Sequence, residues 1–559
     1  MSIRANKLLL LIASLGSLAL MMVAAYRENI SREWRRLQRT YEARLPEDQR
    51  ADFNVQLRQV FVPSLHATDR CISCHVGMAP GEKGIANDEV FKPHPAVVHD
   101  PAEYGCVICH GGQGRATEKD DAHGTAPHWP EPMLPKRFTI AGCGTCHTHL
   151  AVPSLQQLAR GRDLITRYDC LACHQFDGRG GTLRPGAAPM TAPDLSRVGG
   201  AGYKADWYQQ HLAERQKAKG GLWRTSFAAI PDDDRRTIDV LLGSRVGAPA
   251  LVEAKAVFHT LGCRGCHKIN GVGGDDGPDL TREGLKDPGR LDFTRVAGDH
   301  TLRNWLAQHF RAPATIVPNS VMPQLGLSDQ QVDALTLYML SLRGGTRPEV
   351  YWPRDRVRAE RFAEREFATD GATLYGTFCA ACHGANGEGM RYPGAAAFPA
   401  IGNPDFLAIA SDRFIKASVT HGRPGRRMPA WGDKDGGLRP AEIDAVVAHV
   451  RAFGGGAPSP AETGPARWTR GDAASGAGLY AGNCASCHGV KGQGAEGPAL
   501  ANRGLLANAT DSYLVETIQR GRRGTSMPAF GAAATTHRQL SATEIESIVT
   551  FLRSWEGKS

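Results

Sequence analysis

Cys379-Ala380-Ala381-Cys382-His383 decides how the chain is read, because the same five-residue frame occurs seven times and uses every one of the 14 cysteines. The other copies are Cys71-Ile72-Ser73-Cys74-His75, Cys106-Val107-Ile108-Cys109-His110, Cys143-Gly144-Thr145-Cys146-His147, Cys170-Leu171-Ala172-Cys173-His174, Cys263-Arg264-Gly265-Cys266-His267 and Cys484-Ala485-Ser486-Cys487-His488. At this cysteine and histidine content a chance frame is expected on the order of 0.01 times per chain. No cysteine is left over for a disulfide, even in an oxidising compartment.

Cys-x-x-Cys-His is the attachment frame of c-type haem. Two thiols on one short turn can reach the two vinyl groups of one porphyrin, and the adjacent imidazole then stands under the iron. A zinc site would need paired Cys-x-x-Cys knuckles, and a thioredoxin-like site would need a βαβ context. The sequence therefore predicts seven covalent haem c groups, with His75, His110, His147, His174, His267, His383 and His488 as proximal ligands.

The bulk numbers fit that reading. A chain of 559 residues, 42% hydrophobic and 22% charged, is ordinary globular material and suggests several domains. Its 64 glycines and 34 prolines point to long loops between short helices. The formal charge of +9 omits the haem propionates, which would bring a seven-haem chain to roughly neutral or slightly negative. No basic run is interleaved with stacking aromatics, so nucleic acid is not an expected partner.

Working outward to the N-terminus, Leu8 to Ala25 is an apolar run preceded by Arg4 and Lys7. Its length suits either a signal h-region or a spanning helix. Val23-Ala24-Ala25 could be a cleavage site, but Tyr26 to Leu45 continues without Pro or Gly, which favours a retained anchor. Arg27, Arg32, Arg35, Arg36 and Arg39 would then lie on the outer side, against the positive-inside tendency. Outward placement follows from where c-type attachment takes place as a family property. The expected location is the inner (cytoplasmic) membrane, with one N-terminal anchor and the haem domains in the periplasm.

The first three frames are close together, in a stretch dominated by His, Pro and Gly. Such a segment can fold only if the porphyrins supply its interior. The last four frames are spaced by about a small domain each, and their surroundings repeat. Ala192-Pro193-Asp194-Leu195 pairs with Gly277-Pro278-Asp279-Leu280, and Trp207 to His211 pairs with Trp305 to His309. Leu374-Tyr375 pairs with Leu479-Tyr480, and Met428-Pro429 pairs with Met527-Pro528. Apolar-periodic helices are predicted at Ala441 to Phe453 and Ala542 to Trp555.

On these motifs residues 156 to 559 resemble class I monohaem cytochrome c domains, in which a Met-Pro loop precedes the final helix. More loosely, residues 1 to 155 are similar to the tethered three-haem modules found beside bacterial quinol-oxidising cytochrome b complexes. That likeness rests on Cys106 to Gly114, on Ala122-His123-Gly124 and on His128-Trp129. The predicted fold class is mainly α: an N-terminal transmembrane helix, a loop-rich three-haem module, then four small all-α cytochrome c-type domains. The expected boundaries are a membrane anchor or uncleaved signal at 1–26, a charged helical linker at 27–60 and the three-haem module at 61–155. Single-haem domains follow at 156–247, 248–346, 369–456 and 471–559, with linkers at 347–368 and 457–470.

The sixth ligands divide into two groups. Met322, Met428 and Met527 each precede Pro at the same place in a repeat, and are expected to ligate the last three irons. The resemblance also implies that the carbonyls of Pro278, Pro399 and Pro498 orient the proximal rings. The three-haem module has no Met-Pro loop but has spare histidines. His94, His99, His123 and His128 are the expected distal ligands, with no assignment of which serves which iron. Haem 4 departs from both groups, since Thr225 stands where Met322 stands in the next repeat. Met190, His211, a histidine donated by the three-haem module (His128 or His99) and an open site are the alternatives. The donated histidine is favoured, and His211 is disfavoured because its counterpart His309 lies in a unit that has its Met.

Methionine ligation raises a haem potential relative to bis-histidine ligation. Electrons are thus expected to run from the membrane end outward. The expected donor is a membrane quinol-oxidising complex of cytochrome b type. The expected acceptor is a soluble cytochrome or a terminal oxidase or reductase. Arg423, Arg426, Arg427, Arg520, Arg522 and Arg523 precede two of the Met ligands and suggest a basic docking rim. Two other classes stay open: a multihaem peroxidase or nitrite reductase with an open site at haem 4, and a unit of an extracellular cytochrome filament.

Overall fold

The apolar N-terminal run forms the helix Ile3–Asn29, 27 residues long, with no buried side chain. Its length and hydropathy suffice to cross a bilayer. The computed structural model describes residues 3–95, 97–125, 129, 131–181, 192–201, 210–211, 230–345, 347–393 and 397–557. Helices dominate throughout, and strands are confined to short two-stranded ribbons among the described residues.

The chain leaves the first helix at Asn29 and starts a second, Glu33–Arg44. Trp34, Gln38 and Tyr41 fall on one face of it and are buried, while the arginines and glutamates occupy the other. Gln38 donates to the carbonyls of Ser73 (2.9 Å) and Gln56 (2.8 Å), and the Tyr41 hydroxyl donates to that of Lys83 (2.7 Å). The stretch expected to be a linker is therefore docked onto the first attachment turn.

The three-haem module is built from turns. An antiparallel ribbon, Val60–Val62 with Ala67–Asp69, is followed by short helical turns. Its apolar clusters are small: Val60, Val62, Leu65, Ala67, Ile72 and Ala79 in one, Tyr41, Leu45, Val76 and Phe91 in another. Little apolar surface meets here. The end of the module is a wedge. Leu134, Phe138 and Ala141 join the core of the fifth unit, and Leu150 and Val152 join that of the fourth.

The following units repeat a plan of three packed helices. The fifth has Pro249–Thr260, Leu302–Arg311 and Asp329–Ser341. The sixth has Gly371–Phe378, Asp412–His421 and Pro440–Ala452, and the seventh has Ala473–Asn483, Asp511–Arg520 and Ala542–Arg553. In the fourth, Leu155–Arg167 packs on Asp232–Gly243. The helix starts repeat too. Asp370 and Asp472 cap the helices before two frames, and Ser411 and Thr510 cap the next ones. Units six and seven share one core, in which Tyr375, Phe378 and Trp431 are continuous with Tyr480, Ile548 and Phe530.

Both Pro-rich connectors are pinned. Tyr351 and Ser64 share a hydroxyl hydrogen bond of 2.6 Å, Arg347 donates to the Leu65 carbonyl (3.1 Å), and Val152 N–H donates to that of Glu366 (3.2 Å). Between units six and seven, the Trp468 N–H donates to Asp511 (2.6 Å) and Arg467 to the Leu506 carbonyl (2.7 Å). These segments act as straps, with no free spacer between the units they join.

Candidate haem sites

Each attachment frame folds as a single helical or 3-10 turn. In all seven the His N–H donates to the carbonyl of the first Cys, at 2.8 to 3.1 Å. That bond closes the turn, bringing both thiols and the imidazole onto one short stretch of backbone. The thiols are free of disulfides. Burial lowers His110, His147, His267, His383 and His488 below the ordinary imidazole range. They are neutral near pH 7, the state an iron ligand requires.

Five proximal rings are oriented by a backbone carbonyl. The Nδ1 atoms lie 3.1 Å from Val90 O (His75), 2.7 Å from Pro193 O (His174), 2.8 Å from Pro278 O (His267), 3.0 Å from Pro399 O (His383) and 2.8 Å from Pro498 O (His488). A carbonyl only accepts, so Nδ1 carries the hydrogen and Nε2 is left with its lone pair for a metal.

Histidines of the three-haem module face one another in pairs. Ring centres are 6.3 Å apart for His75 and His123, 6.1 Å for His110 and His94, and 6.3 Å for His147 and His99. A metal–nitrogen bond of about 2 Å and about 1.2 Å from nitrogen to ring centre, doubled across one iron, give about 6.4 Å. The residues thus fit a haem iron held between two imidazoles. A cavity of about 270 Å³ opens beside the second frame, lined by His94 and Cys106 among others. His99, one of the two candidate donors to the fourth unit, faces His147. The histidine facing His174 is His211, at 6.4 Å. His128, Met190 and Thr225 lie outside the described residues.

In the last units the Met-Pro loops are shaped alike. Arg423 N–H donates to Met428 O (2.8 Å) and Arg522 N–H to Met527 O (2.9 Å). Each loop presses on a glycine that ends a helix, Gly422 at φ +62° and Gly521 at φ +63°. A Cβ at either would sit 2.5 Å from the carbonyl carbon of Pro429 or Pro528, so both the angle and the space require glycine. Met322, Met428 and Met527 are half-buried. The arginines expected to form a docking rim are largely engaged within the molecule. Arg427 pairs with Asp276 (2.5 Å), Arg523 with Asp405 (2.8 Å) and Arg520 with Glu516 (2.8 Å). Arg423 donates to Ser418 and Arg522 to Thr517. The first two pairs bridge units five to six and six to seven, so these charges serve the seams.

Two features escaped the sequence reading. A buried ionic cluster sits at the fifth frame. Arg264, from inside Cys263–His267, and Lys255 both pair with Glu366, and Lys255 also donates to the carbonyls of His149 and Leu150. Burial pushes the Glu366 carboxyl up, but the charges of Arg264 and Lys255 outweigh it and hold the group well below the carboxylate range. Lone charged residues 100 positions apart give no sequence signal. The second feature is contact between frames. The Cys71 and Cys106 sulfurs lie within 4.8 Å of each other, and the fifth frame's turn Cys263–Gly265 packs on Ala380–His383 of the sixth.

Comparison with known proteins agrees with this geometry. Residues 366–450 and 471–552 match the family "Cytochrome C oxidase, cbb3-type, subunit III", and residues 251–343 match "Cytochrome c". The cbb3-type cytochrome c oxidase subunit FixP of Bradyrhizobium sp. (strain ORS 278) is 34% identical over 197 residues, covering 34% of this chain and 60% of the relative. The CcoP subunit of Azospirillum sp. (strain B510) is 30% identical, covering 34% and 62%. The cytochrome bc1 complex cytochrome c subunit of Mycobacterium bovis is 28% identical, covering 39% and 74%. The chain spans about 60% of the length of the two oxidase subunits. A solved thiosulfate dehydrogenase (TsdBA) from Marichromatium purpuratum shares 17% identity with a TM-score of 0.18, covering 71% of this chain and 91% of that one, and carries no argument. The fold, the attachment frames and these matches define a c-type cytochrome, an electron-transfer protein with covalently bound haem c. Two of the relatives it matches are subunits of cbb3-type cytochrome c oxidases, and a third is a cytochrome bc1 complex cytochrome c subunit.

Proposed function

We propose that the chain carries seven haems and passes electrons between a membrane quinol-oxidising partner of cytochrome b type and a soluble cytochrome or terminal oxidase. Haem c would supply the one-electron chemistry, and the protein would supply attachment, axial ligands and spacing. The observation that carries the reading is the close approach of successive frames: the Cys71 and Cys106 sulfurs lie within 4.8 Å of each other, and the turn Cys263–Gly265 packs on Ala380–His383. A protein that used each haem separately would have no reason to seat attachment frames against one another. His123, His94 and His99 serve as distal ligands in the N-terminal module, and Met322, Met428 and Met527 in the C-terminal units. That order sets potentials low near Ile3–Asn29 and high far from it.

The helix Ile3–Asn29 holds the chain in the inner membrane with the haem units in the periplasm, and the oxidase-subunit relatives support a place in a respiratory complex. The test is purification of the native protein from detergent-solubilised membranes. A cytochrome b-type subunit should co-purify, and quinol should reduce the haems anaerobically in that preparation. A haem-replete chain that is recovered alone and is not reduced by quinol in intact membranes would overturn the donor assignment.

A further inference from the structure

We infer that His211 is the second axial ligand of the iron in the fourth unit, which places that unit in the bis-histidine group. The inference rests on the proposed reading that all seven frames carry haem. The ring centres of His174 and His211 are 6.4 Å apart, against 6.1 to 6.3 Å for the three pairs of the N-terminal module. That spacing accommodates one iron and two metal–nitrogen bonds of about 2 Å each. His174 Nδ1 is bonded to the Pro193 carbonyl at 2.7 Å, so its Nε2 is the atom left for the metal.

The contrast with the fifth unit sharpens the argument. His309 occupies the same repeat position as His211, four residues after a tryptophan. There it stacks on Trp305, with centroids 4.8 Å apart and planes within 12°. The fifth unit also has Met322-Pro323, whereas the fourth has Thr225 at the matching position. The same repeat position thus provides a packed ring in the unit that has Met322-Pro323 and a facing imidazole in the unit that has Thr225 at the matching position.

Two consequences follow. The chain divides into four consecutive bis-histidine sites and three histidine–methionine sites, so the rise in potential falls between the fourth and fifth units. The fourth iron is also six-coordinate and closed to small ligands, which removes the basis for a peroxidase or nitrite reductase at this site.

Near-infrared magnetic circular dichroism of the oxidised full-length holoprotein separates bis-histidine from histidine–methionine low-spin iron. Wild type should show four of the first kind and three of the second. His211→Met should convert this to three and four, and His211→Ala should lose one low-spin signal and gain one high-spin iron. Three or fewer bis-histidine signals in wild type, or variants that keep four, would overturn the inference. If neither variant accumulates, the wild-type count decides alone. Haem content by intact mass keeps the two claims apart. Seven haems with only three bis-histidine irons would defeat the His211 assignment alone, while fewer than seven would defeat the reading beneath it.

Discussion

Replacing Glu366 by Gln should loosen the junction between the N-terminal module and the fifth and sixth units. Glu366 is the shared counter-charge of Lys255 and Arg264, whose side chains are 1% and 0% exposed. Glutamine keeps the shape but leaves two buried cations facing each other without an anion. Breaking a buried pair by removing one partner costs about 3–5 kcal/mol. At about 1.4 kcal/mol per tenfold, that is a rise on the order of 10²–10⁴-fold in local opening. The Val152 N–H donates to the Glu366 carbonyl, which the substitution retains, so this amide reports opening without being altered itself. Hydrogen exchange of a peptide containing Val152 should lose protection by about that factor. Glu366 also predicts a pH dependence. Its folded pKa lies below the ordinary value of 4.5, so its contribution is complete above that value and is lost as pH falls through the lowered one. Wild-type protection should therefore hold from about pH 5 to 8 after correction for intrinsic exchange. Protection in Glu366→Gln within a few-fold of wild type would refute the claim that the cluster holds this seam.

Met322→Ala, Met428→Ala and Met527→Ala should each lower the potential of one haem and remove one share of the methionine-to-iron charge-transfer absorption, read by spectroelectrochemistry. Asp511 is buried and accepts from Arg553 (2.8 Å) and from the backbone N–H groups of Trp468 (2.6 Å) and Thr469 (2.8 Å). Asp511→Asn should cost the seventh unit about 1.5–3 kcal/mol in denaturant titrations followed at its haem. Burial raises the Asp511 pKa, but the Thr469 N–H and Arg553 bring it below the usual carboxylate value. Its stabilisation is therefore present at neutral pH and fades only as pH falls below about 4.

What the sequence made legible was set by local spacing. The seven frames, the Met-Pro loops, the long apolar N-terminal helix and the repeat of capped helices all depend on residues close in the chain, and each has a local physical cause. The pairing of histidines does not. His94 precedes His110 whereas His123 follows His75 by 48 positions, and only the folded turns bring the rings to a common distance. His211 and His309 share a repeat position, but only the folded chain shows that one ring faces His174 while the other stacks on Trp305. The arginines before Met428 and Met527 suggested a docking rim, but sequence does not show that Asp276 and Asp405 are waiting across two seams. The connectors carried Pro-rich composition, which describes backbone stiffness and says nothing of the partners that hold Tyr351 and Glu366.

Intact mass of the denatured holoprotein, matured in a host with a working c-type haem attachment system, tests the central claim most directly. Seven frames with no cysteine to spare predict a mass above the polypeptide by seven haem units, stable to denaturation because each is held by two thioethers. A fully matured chain that carries six haems or fewer would contradict it.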